Sequence, residues 1–312
     1  MTDLSLLHDA DPDAVRTFLE GTPAEDLVAA IRATSDAELE RIVGRDEIRP
    51  VAVEVLLARL HEYTVPERLA QLRGVVRFDL DSGGRRLEGH GLQLGGGEIV
   101  PRYHLEPGER ADVVLTTSVV TFLRLVSGER NAGLEYLAGT LDIDGDAALA
   151  LGVGGIFKVP GTGQIAMDPT LLDPVDVATV LGHVPGDHLR KVMESDFRPV
   201  VLGEIFRRLP DYLNERKARG VVLTVGFRLL GNPSGNIERY VVRVRDGVAL
   251  VESGDAGEHR DATITCQGHD YLRLATGHLN PVLGVLKGTL KVKGDKAKAL
   301  QLSSIIDVPT SR

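Results

Sequence analysis

The chain has 312 residues, which is long enough for two domains that each bury a core. Its hydrophobic fraction of 43% and charged fraction of 26% exclude a mainly disordered or fibrous chain. The net charge of -9 argues against a nucleic-acid partner, because an acidic surface repels a phosphate backbone. The single cysteine, Cys266, and the lack of a signal-like start or a long apolar span predict a cytoplasmic protein.

The sequence repeats itself with an offset of 149 residues. Between 112–160 and 261–309 no gap is needed, and roughly 20 of about 49 pairs are identical. The predicted organisation is an N-terminal segment (1–22), a first unit (23–160), a linker (161–172) and a second unit (173–309). Each unit is expected to open with a helical lead, at 23–48 and 173–197, followed by its main domain, at 49–160 and 198–309.

In chain order, the first unit begins with helical spacing over 24–44 and 47–64. Val76, Phe78 and Leu80 then alternate with polar residues as in a half-buried strand, and glycine turns lead to a second and a third strand. A fourth strand precedes two helices, a fifth strand and a closing helix capped by Asp146. The pattern predicts an α+β fold, with a mainly antiparallel five-stranded sheet and helices on one face in each unit.

Common catalytic and nucleotide-binding signatures are missing from the sequence. Asp142 and Asp144 suggest a calcium loop, but the glycine spacing is wrong and their repeat partners are Lys291 and Lys293. His269 lies near Cys266, yet neighbours three apart at a strand-to-helix junction usually point away from each other. The motifs in the sequence therefore predict no bound metal, no cofactor and no catalytic residue.

The closing helix of the first unit has no polar side chain from Ala147 to Phe157. A helix that is apolar all round must be enclosed, and its small residues leave space for packed neighbours or for an apolar ligand. Lys296, Lys298 and Gln301 stand in the second copy of this helix. The first unit is therefore the better candidate for binding, with a closely packed helix as the alternative.

A dense basic cluster stands out in this acidic chain, and it consists of Lys287, Lys291, Lys293, Lys296 and Lys298. A solvated face is the simplest explanation. Two functional interpretations remain open. One is transient contact with an anionic membrane surface or a phosphate-bearing ligand. The other is packing of the two units on each other, with the lysines against Asp142 and Asp144.

Two segments resemble the sterol carrier protein type-2 domain. The first runs from Asp112-Val-Val-Leu-Thr to Gly139-Thr-Leu-Asp-Ile-Asp-Gly145-Asp146, and the second from Asp261-Ala-Thr-Ile-Thr to Gly288-Thr-Leu-Lys-Val-Lys-Gly294-Asp295. The resemblance implies a five-stranded sheet with helices on one side and an apolar tunnel between them. It also implies sterols, fatty acyl chains or acyl-coenzyme A as ligands, and it supplies no catalytic residues.

We therefore expect the chain to bind or carry an apolar small molecule, chiefly in the first unit. The expected lining residues are Phe122, Leu125, Leu134, Leu137, Leu149, Ala150, Val153, Gly154, Ile156 and Phe157. The candidates in the second unit are Tyr271, Leu274, Leu283, Leu286, Leu302, Ile305 and Ile306. No integral membrane contact is expected.

An enzyme is an alternative, either a cyclase or an isomerase that acts on a hydrophobic metabolite in the same cavity. It would need a polar group there, and the nearby candidates are His104, Arg124, Glu135 and Tyr136. Arg124 is expected to be solvated, because it lies on the outer face of an amphipathic helix. A non-catalytic scaffold of two paired units is a further alternative.

Overall fold

The computed structural model describes residues 2–158, 160, 163, 165, 169–254 and 259–309. The chain divides into two compact units, residues 1–168 and 169–312. Each unit contains one five-stranded sheet together with helices, so the α+β fold of two repeated units is confirmed. Half of the predicted linker (161–172) lies outside the described residues, and its last part contains a short 3-10 helix, Pro169–Leu171.

The first unit contains eight α-helices among its described residues, and two 3-10 helices (Leu4–Leu7 and Leu60–Tyr63). The α-helices are α1 (Pro12–Gly21), α2 (Ala24–Ala33), α3 (Asp36–Val43), α4 (Arg49–Arg59), α5 (Pro66–Leu69), α6 (Val119–Val126), α7 (Ala132–Ala138) and α8 (Ala147–Ile156). The strands are β1 (Gly74–Ser82), β2 (Arg85–Gly95), β3 (Glu98–Arg102), β4 (Val113–Ser118) and β5 (Leu141–Gly145).

The first sheet has the strand order β3-β2-β1-β4-β5. Its central pair, β1 and β4, is parallel, whereas the other three pairs are antiparallel. The chain leaves the edge strand β3 and crosses back to lie beside β1, which makes this pair parallel. The five predicted strands are present, and the sheet is mainly antiparallel as expected, because β1 and β4 form its one parallel pair.

Helix α1 lies in the N-terminal segment, for which the sequence analysis predicted no helix. Pro12 occupies the first turn, and the Asp11 carboxylate accepts a hydrogen bond from the Ala14 amide at 2.8 Å. Val15 and Leu19 are buried, and α1 packs against α4. The proline and the capping aspartate were the signals in the sequence that could have identified this helix.

The second unit repeats this arrangement, with 3-10 helices at Pro169–Leu171 and Leu209–Tyr212. Its α-helices are α9 (Pro174–Leu181), α10 (Gly186–Glu194), α11 (Arg198–Arg208), α12 (Glu215–Ala218), α13 (Gly268–Ala275), α14 (Pro281–Leu286) and α15 (Lys296–Ile305). Its strands are β6 (Val222–Leu230), β7 (Glu238–Arg245), β8 (Val248–Ser253), β9 (Ala262–Gln267) and β10 (Lys291–Gly294), in the order β10-β9-β6-β7-β8.

The closing helices α8 and α15 are fixed in the same way at both ends. Asp146 caps the N-terminus of α8 through the Ala148 amide at 2.8 Å, and Asp295 caps α15 through the Ala297 amide at 2.8 Å. At the C-terminus of α8 there are two backbone hydrogen bonds of 2.8 Å. The Val65 amide donates to the Ile156 carbonyl, and the Lys158 amide donates to the Tyr63 carbonyl. The corresponding bonds of α15 connect Asn214 with Ile305 and Asp307 with Tyr212, also at 2.8 Å.

Candidate functional site

An apolar pocket of about 150 Å³ lies in the first unit between the sheet and helices α6 and α8. The sheet contributes Phe78, Leu115, Thr117, Leu141 and Ile143. The helices α6 and α8 contribute Phe122, Leu125, Val126, Ala150, Val153 and Gly154. The remaining lining residues are Leu60, Tyr63, Arg130, Ala132, Phe157, Lys158 and Pro160.

The sheet side of this pocket follows from strand register. Leu115 on β4 pairs directly with Phe78 on β1 and with Ile143 on β5. Residues that lie opposite each other on paired strands point to the same face, so these three side chains form a continuous apolar row. This row could not be predicted from the sequence, because it depends on the parallel pairing of β1 with β4.

Six of the expected lining residues border the pocket, namely Phe122, Leu125, Ala150, Val153, Gly154 and Phe157. The other four, Leu134, Leu137, Leu149 and Ile156, are not among its lining residues. Ile156 is buried with 1% of its surface exposed, and Leu149 packs close to Gly74, where an added Cβ would come within 2.6 Å of it. Ligand contact by these four residues stays a prediction.

The small residues of α8 have two different surroundings. Gly152 faces Leu72, since a Cβ at this glycine would lie 2.7 Å from a Leu72 methyl group. Ala150 and Gly154 border the pocket instead. The space that the small residues leave is therefore occupied by a neighbouring side chain on one side of the helix and open on the other.

Four polar residues border the pocket. The Thr117 hydroxyl donates a hydrogen bond to the Thr140 carbonyl at 2.8 Å. Burial raises the pKa of Tyr63, and the nearby carboxylates of Glu25 and Glu62 raise it further, so its hydroxyl is protonated at neutral pH. Arg130 and Lys158 supply two cationic groups to the lining.

The two cationic side chains differ in their partners. Arg130 contacts Asp36 at 3.0 Å and Glu135 at 3.6 Å, and about a third of its side chain is exposed. Lys158 is exposed and makes no side-chain ion pair among the residues that the structure describes. The pocket is thus apolar in its interior, with positive charge at positions that reach solvent.

A family model for the SCP-2 sterol transfer family matches this chain twice, at residues 53–158 and 202–307. The chain belongs to the SCP-2 sterol transfer family. The two matches cover both main domains, which confirms the resemblance inferred from the repeated motif.

Each related protein matches only about a third of this chain. Hydroxysteroid dehydrogenase-like protein 2 from Xenopus tropicalis is 29% identical over 105 residues, which is 34% of this chain and 24% of that protein. Sterol carrier protein 2 from Rattus norvegicus is 32% identical over 104 residues, which is 32% of this chain and 19% of that protein. The chain thus covers a quarter or less of the length of these relatives.

Solved structures of single SCP-2 domains match one part of the chain at a time. The crystal structure of Sterol Carrier Protein 2 Like 2 from Aedes aegypti has 20% sequence identity and a TM-score of 0.29. It covers 35% of this chain and 95% of the Aedes chain.

Arg124 is one of the polar residues that were considered for catalysis. In this SCP-2 family chain it connects α6 to the helical lead instead. The residue is only 4% exposed, and its guanidinium donates hydrogen bonds to Asp36 at 2.6 Å and to the Ile31 carbonyl at 2.7 Å. It also donates to the Thr34 carbonyl at 2.6 Å. The expectation that Arg124 is solvated was wrong, because the helical lead covers this face of α6.

The other three polar candidates also lie outside the pocket lining as the structure describes it. His104 is exposed and its Nε2 lies 2.9 Å from a Glu54 carboxylate oxygen. Tyr136 is buried, and Glu135 accepts a hydrogen bond from the Thr140 hydroxyl. None of these groups is placed to act on a molecule inside the pocket.

Cys266 is buried in the second unit, at the position that Thr117 occupies in the first. Burial raises the pKa of its thiol to about 12, and the Asp270 carboxylate contributes in the same direction. The described part of the chain holds no group of three or more His, Cys, Asp or Glu side chains that could bind a metal ion. It also contains no helix with the length and hydropathy needed to cross a membrane.

An aromatic cluster occupies the matching region of the second SCP-2 domain. Phe206 stacks on Tyr240 with ring centroids 3.7 Å apart and on Tyr271 with centroids 4.8 Å apart. Phe227 meets Phe206 and Tyr271 edge-on at 5.6 and 5.4 Å. Tyr271 is 2% exposed, and burial raises the pKa of its hydroxyl well above the ordinary value.

The candidate ligand-binding residues of the second domain differ in how far they are exposed to solvent. Tyr271, Leu302 and Ile305 are buried, and Leu274 and Ile306 are partly exposed. Leu283 and Leu286 lie on α14 and are 51% and 76% exposed. The structure therefore does not enclose these two leucines with the other candidates.

Proposed function

We propose that this protein binds and carries an apolar small molecule, and that the first unit holds it in the pocket between the sheet and helices α6 and α8. The observation that carries the proposal is the apolar lining of this pocket, from the row Phe78–Leu115–Ile143 to Ala150 and Val153. Membership of a sterol transfer family, and relatives named sterol carrier protein 2, support a sterol or another lipid as the ligand.

The pocket volume limits how the ligand is held. A cavity of about 150 Å³ is large enough for one benzene ring, whereas a sterol or a long acyl chain needs several times more space. The ligand would therefore enlarge the pocket into the tunnel expected from the sequence, or extend from it toward solvent. Burial of about 200 Å² of apolar ligand surface contributes about 5 kcal/mol before the costs of association are subtracted.

We infer further that the ligand is an amphiphile with an anionic group, such as a fatty acid. Arg130 and Lys158 border the pocket and reach solvent, so a ligand carboxylate beside either residue could remain hydrated and still meet positive charge. The corresponding residues of the second unit are Leu279 and Asp307, and the Asp307 carboxylate already binds Lys217 at 2.7 Å. This difference in charge supports the first unit as the main binding site.

The proposal is tested by filling the pocket. In Gly154→Trp an indole ring would occupy the space beside Ala150, and we expect the affinity for a fluorescent fatty acid to fall by about 100-fold or more. Ser303→Trp is the matched control, because Ser303 has the corresponding position on α15. Unchanged affinity in Gly154→Trp, or an equal loss in Ser303→Trp, would refute binding in the first unit.

A further inference from the structure

A histidine continues the apolar row on the sheet side of the pocket. His90 on β2 pairs directly with Phe78 on β1, and Phe78 pairs with Leu115 on β4. Because residues that lie opposite each other on paired strands point to the same face, the His90 side chain faces the helices as Phe78 does. His90 is 0% exposed and is not itself among the lining residues. It therefore lies one strand beyond Phe78, in the row that the pocket already follows from Ile143 to Phe78.

Neither ring nitrogen of His90 has a hydrogen-bond partner among the described residues. The ring lies near those of Tyr103 and His104, with centroids 6.1 and 5.6 Å away, but these contacts satisfy neither nitrogen. An imidazole always carries at least one N–H group, so a fully buried ring needs a hydrogen-bond partner. Buried polar atoms without a partner are uncommon in proteins because they lower stability.

Two further polar atoms without a hydrogen bond lie beside this ring. Glu88 Oε1 is 3.5 Å from His90 Nε2 and 3.6 Å from Arg49 Nε on α4. Glu88 Oε1 and Arg49 Nε are both buried, and neither has a hydrogen-bond partner within the part of the chain that the structure describes. We call these three atoms the His90 site (Arg49 Nε, Glu88 Oε1 and His90 Nε2).

The corresponding arginine and glutamate of the second unit satisfy each other. Arg198 Nε donates a hydrogen bond to Glu238 Oε1 at 2.9 Å, and a second guanidinium nitrogen of Arg198 donates to Glu238 Oε2 at 3.0 Å. The Asn232 amide also donates to Glu238 Oε1. A glutamate in need of a further partner is thus a property of the first unit, which is also the unit with the pocket.

Aromatic packing replaces the histidine in the second unit. Tyr240 pairs with Phe227 at the register position of His90, and its ring stacks on Phe206 with centroids 3.7 Å apart. The first unit has a leucine, Leu57, at the position of Phe206. The side chains beside His90 therefore fill less volume, and a ligand that enlarges the pocket past Phe78 would meet the His90 site.

One hydroxyl group matches the three atoms of the His90 site. Its proton can be donated to Glu88 Oε1, and its oxygen can accept hydrogen bonds from the N–H groups of Arg49 Nε and His90 Nε2. A carboxylate fits this site less well, because the Glu88 carboxylate would repel it. An apolar group would leave all three buried atoms without a partner.

We propose that the His90 site binds a hydroxyl group of the ligand carried in the first unit. Together with the carboxylate that we infer near Arg130 or Lys158, this makes the ligand a fatty acid with a hydroxyl group on its chain, away from the carboxylate. The inference rests on the proposed function and adds the chemical class of the ligand to it.

The test compares fatty acids that differ in the hydroxyl group, by displacement of a fluorescent fatty acid from the full chain. The probes are the saturated acids from octanoic to stearic acid, each with and without a hydroxyl on the terminal carbon. A terminal hydroxyl weakens binding to a purely apolar pocket, because it must leave water. We expect instead that the best-fitting hydroxy acid binds at least about tenfold more tightly than its unsubstituted parent. Palmitic acid with its hydroxyl beside the carboxylate is the positional control and should show no gain.

His90→Phe removes the ring nitrogens and keeps a ring of similar size. The preference for the hydroxy acid should be lost, while the affinity for the unsubstituted acid should stay within about threefold. Tyr240→Phe is the matched control, because Tyr240 has the same register position in the second unit, and it should keep the preference. Urea unfolding of both variants shows that they fold, and the comparison of ligands in the unchanged chain is decisive without them.

The outcomes separate this inference from the proposed function. If fatty acids bind but no terminal hydroxyl improves binding, the inference is overturned, and an ordered water molecule is the better partner for the His90 site. A preference that persists in His90→Phe, or disappears equally in Tyr240→Phe, would overturn it as well. If no fatty acid of either kind binds, the proposed function fails, and this inference fails with it.

Discussion

The two units have the same strand order, yet different side chains lie between sheet and helices. In the first unit, Phe78 and Phe122 border an apolar pocket. In the second, the residues at these two positions, Phe227 and Tyr271, pack around Phe206 in an aromatic cluster. A few substitutions on the same backbone therefore put a stacked aromatic cluster in one copy where the other copy has an apolar pocket.

The units also differ in how the helical lead is attached. Arg124 joins α6 to the helical lead through four hydrogen bonds of 2.6 to 2.8 Å, two to Asp36 and one each to the Ile31 and Thr34 carbonyls. Its counterpart Arg273 is partly exposed, and its guanidinium makes one hydrogen bond within the described part of the chain, to the His278 carbonyl at 3.5 Å. In the second unit the His278 ring contacts the Ala178 carbonyl at 2.7 Å instead.

The largest effect is expected from Arg124→Met. Removal of this buried cation takes the guanidinium away from the Ile31 and Thr34 carbonyls and leaves Asp36 with Arg130 alone, so the free energy of unfolding should fall by about 2–4 kcal/mol. Arg273→Met should cost less than about 1 kcal/mol, since this residue is partly exposed. Urea unfolding of both variants measures the difference, and similar losses would show that the two arginines are equivalent.

A smaller effect is expected when the aromatic cluster is opened. Phe206→Leu introduces leucine, the residue type found at the corresponding position of the first unit, Leu57. The substitution should lower the free energy of unfolding by about 1–3 kcal/mol. The new space should also admit a fluorescent fatty acid. Titration in a Gly154→Trp background isolates this second site. Failure to gain any binding would show that other residues also close the second unit.

The stability of the second unit should depend on pH through the ion pair between Glu238 and Arg198. Burial alone raises the pKa of Glu238, but hydrogen bonds from Arg198 and Asn232 outweigh it and hold the pKa below the usual 4.5. The pair therefore contributes stability above about pH 4.5 and loses it as the pH falls through the lower folded value. Glu238→Gln should cost about 1–2 kcal/mol at pH 7 and flatten this acid dependence in urea unfolding.

The matched variant is Glu88→Gln in the first unit. Glu88 lies 3.6 Å from Arg49, whereas Glu238 lies 2.9 Å from Arg198. We expect a smaller loss at pH 7 from Glu88→Gln. An equal loss in both variants would contradict the view that the second unit holds the tighter pair.

The smallest effect concerns Cys266. With a pKa of about 12, the thiol is protonated and buried, so an aromatic disulfide reagent at pH 8 should not react in the native protein and should react fully after denaturation. Cys266→Thr, which introduces the residue of the first unit, should change the free energy of unfolding by less than about 1 kcal/mol. Rapid labelling of the native chain would show that this region opens readily.

Much of this architecture could be predicted because the chain contains two copies of one unit, whose sequences can be compared with each other. The repeat fixed which segments correspond, and the apolar closing helix identified Ala150, Val153, Gly154 and Phe157 as lining residues. Periodicity identifies an apolar helix but not what each of its faces meets. For this reason Gly152, which packs on Leu72, could not be distinguished from Gly154, which borders the pocket.

Long-range contacts account for what the sequence analysis missed. The burial of Arg124 depends on α2 and α3, which lie about 90 residues away along the chain. Leu286 was expected to contact a ligand, but it is exposed because α14 turns this side outward. Neither arrangement leaves a local pattern that propensity or spacing could reveal.

If the first unit binds a ligand as proposed, the two backbone hydrogen bonds at the end of α8 bear on the rate of ligand exchange. Outward swinging of this helix would break the bonds from Val65 to Ile156 and from Lys158 to Tyr63 before any opening appeared. Such an event is a local unfolding step, and its rate would limit how quickly a guest escapes by this route. Deuterium should therefore replace the Val65 and Lys158 amide protons slowly, on the timescale of guest release.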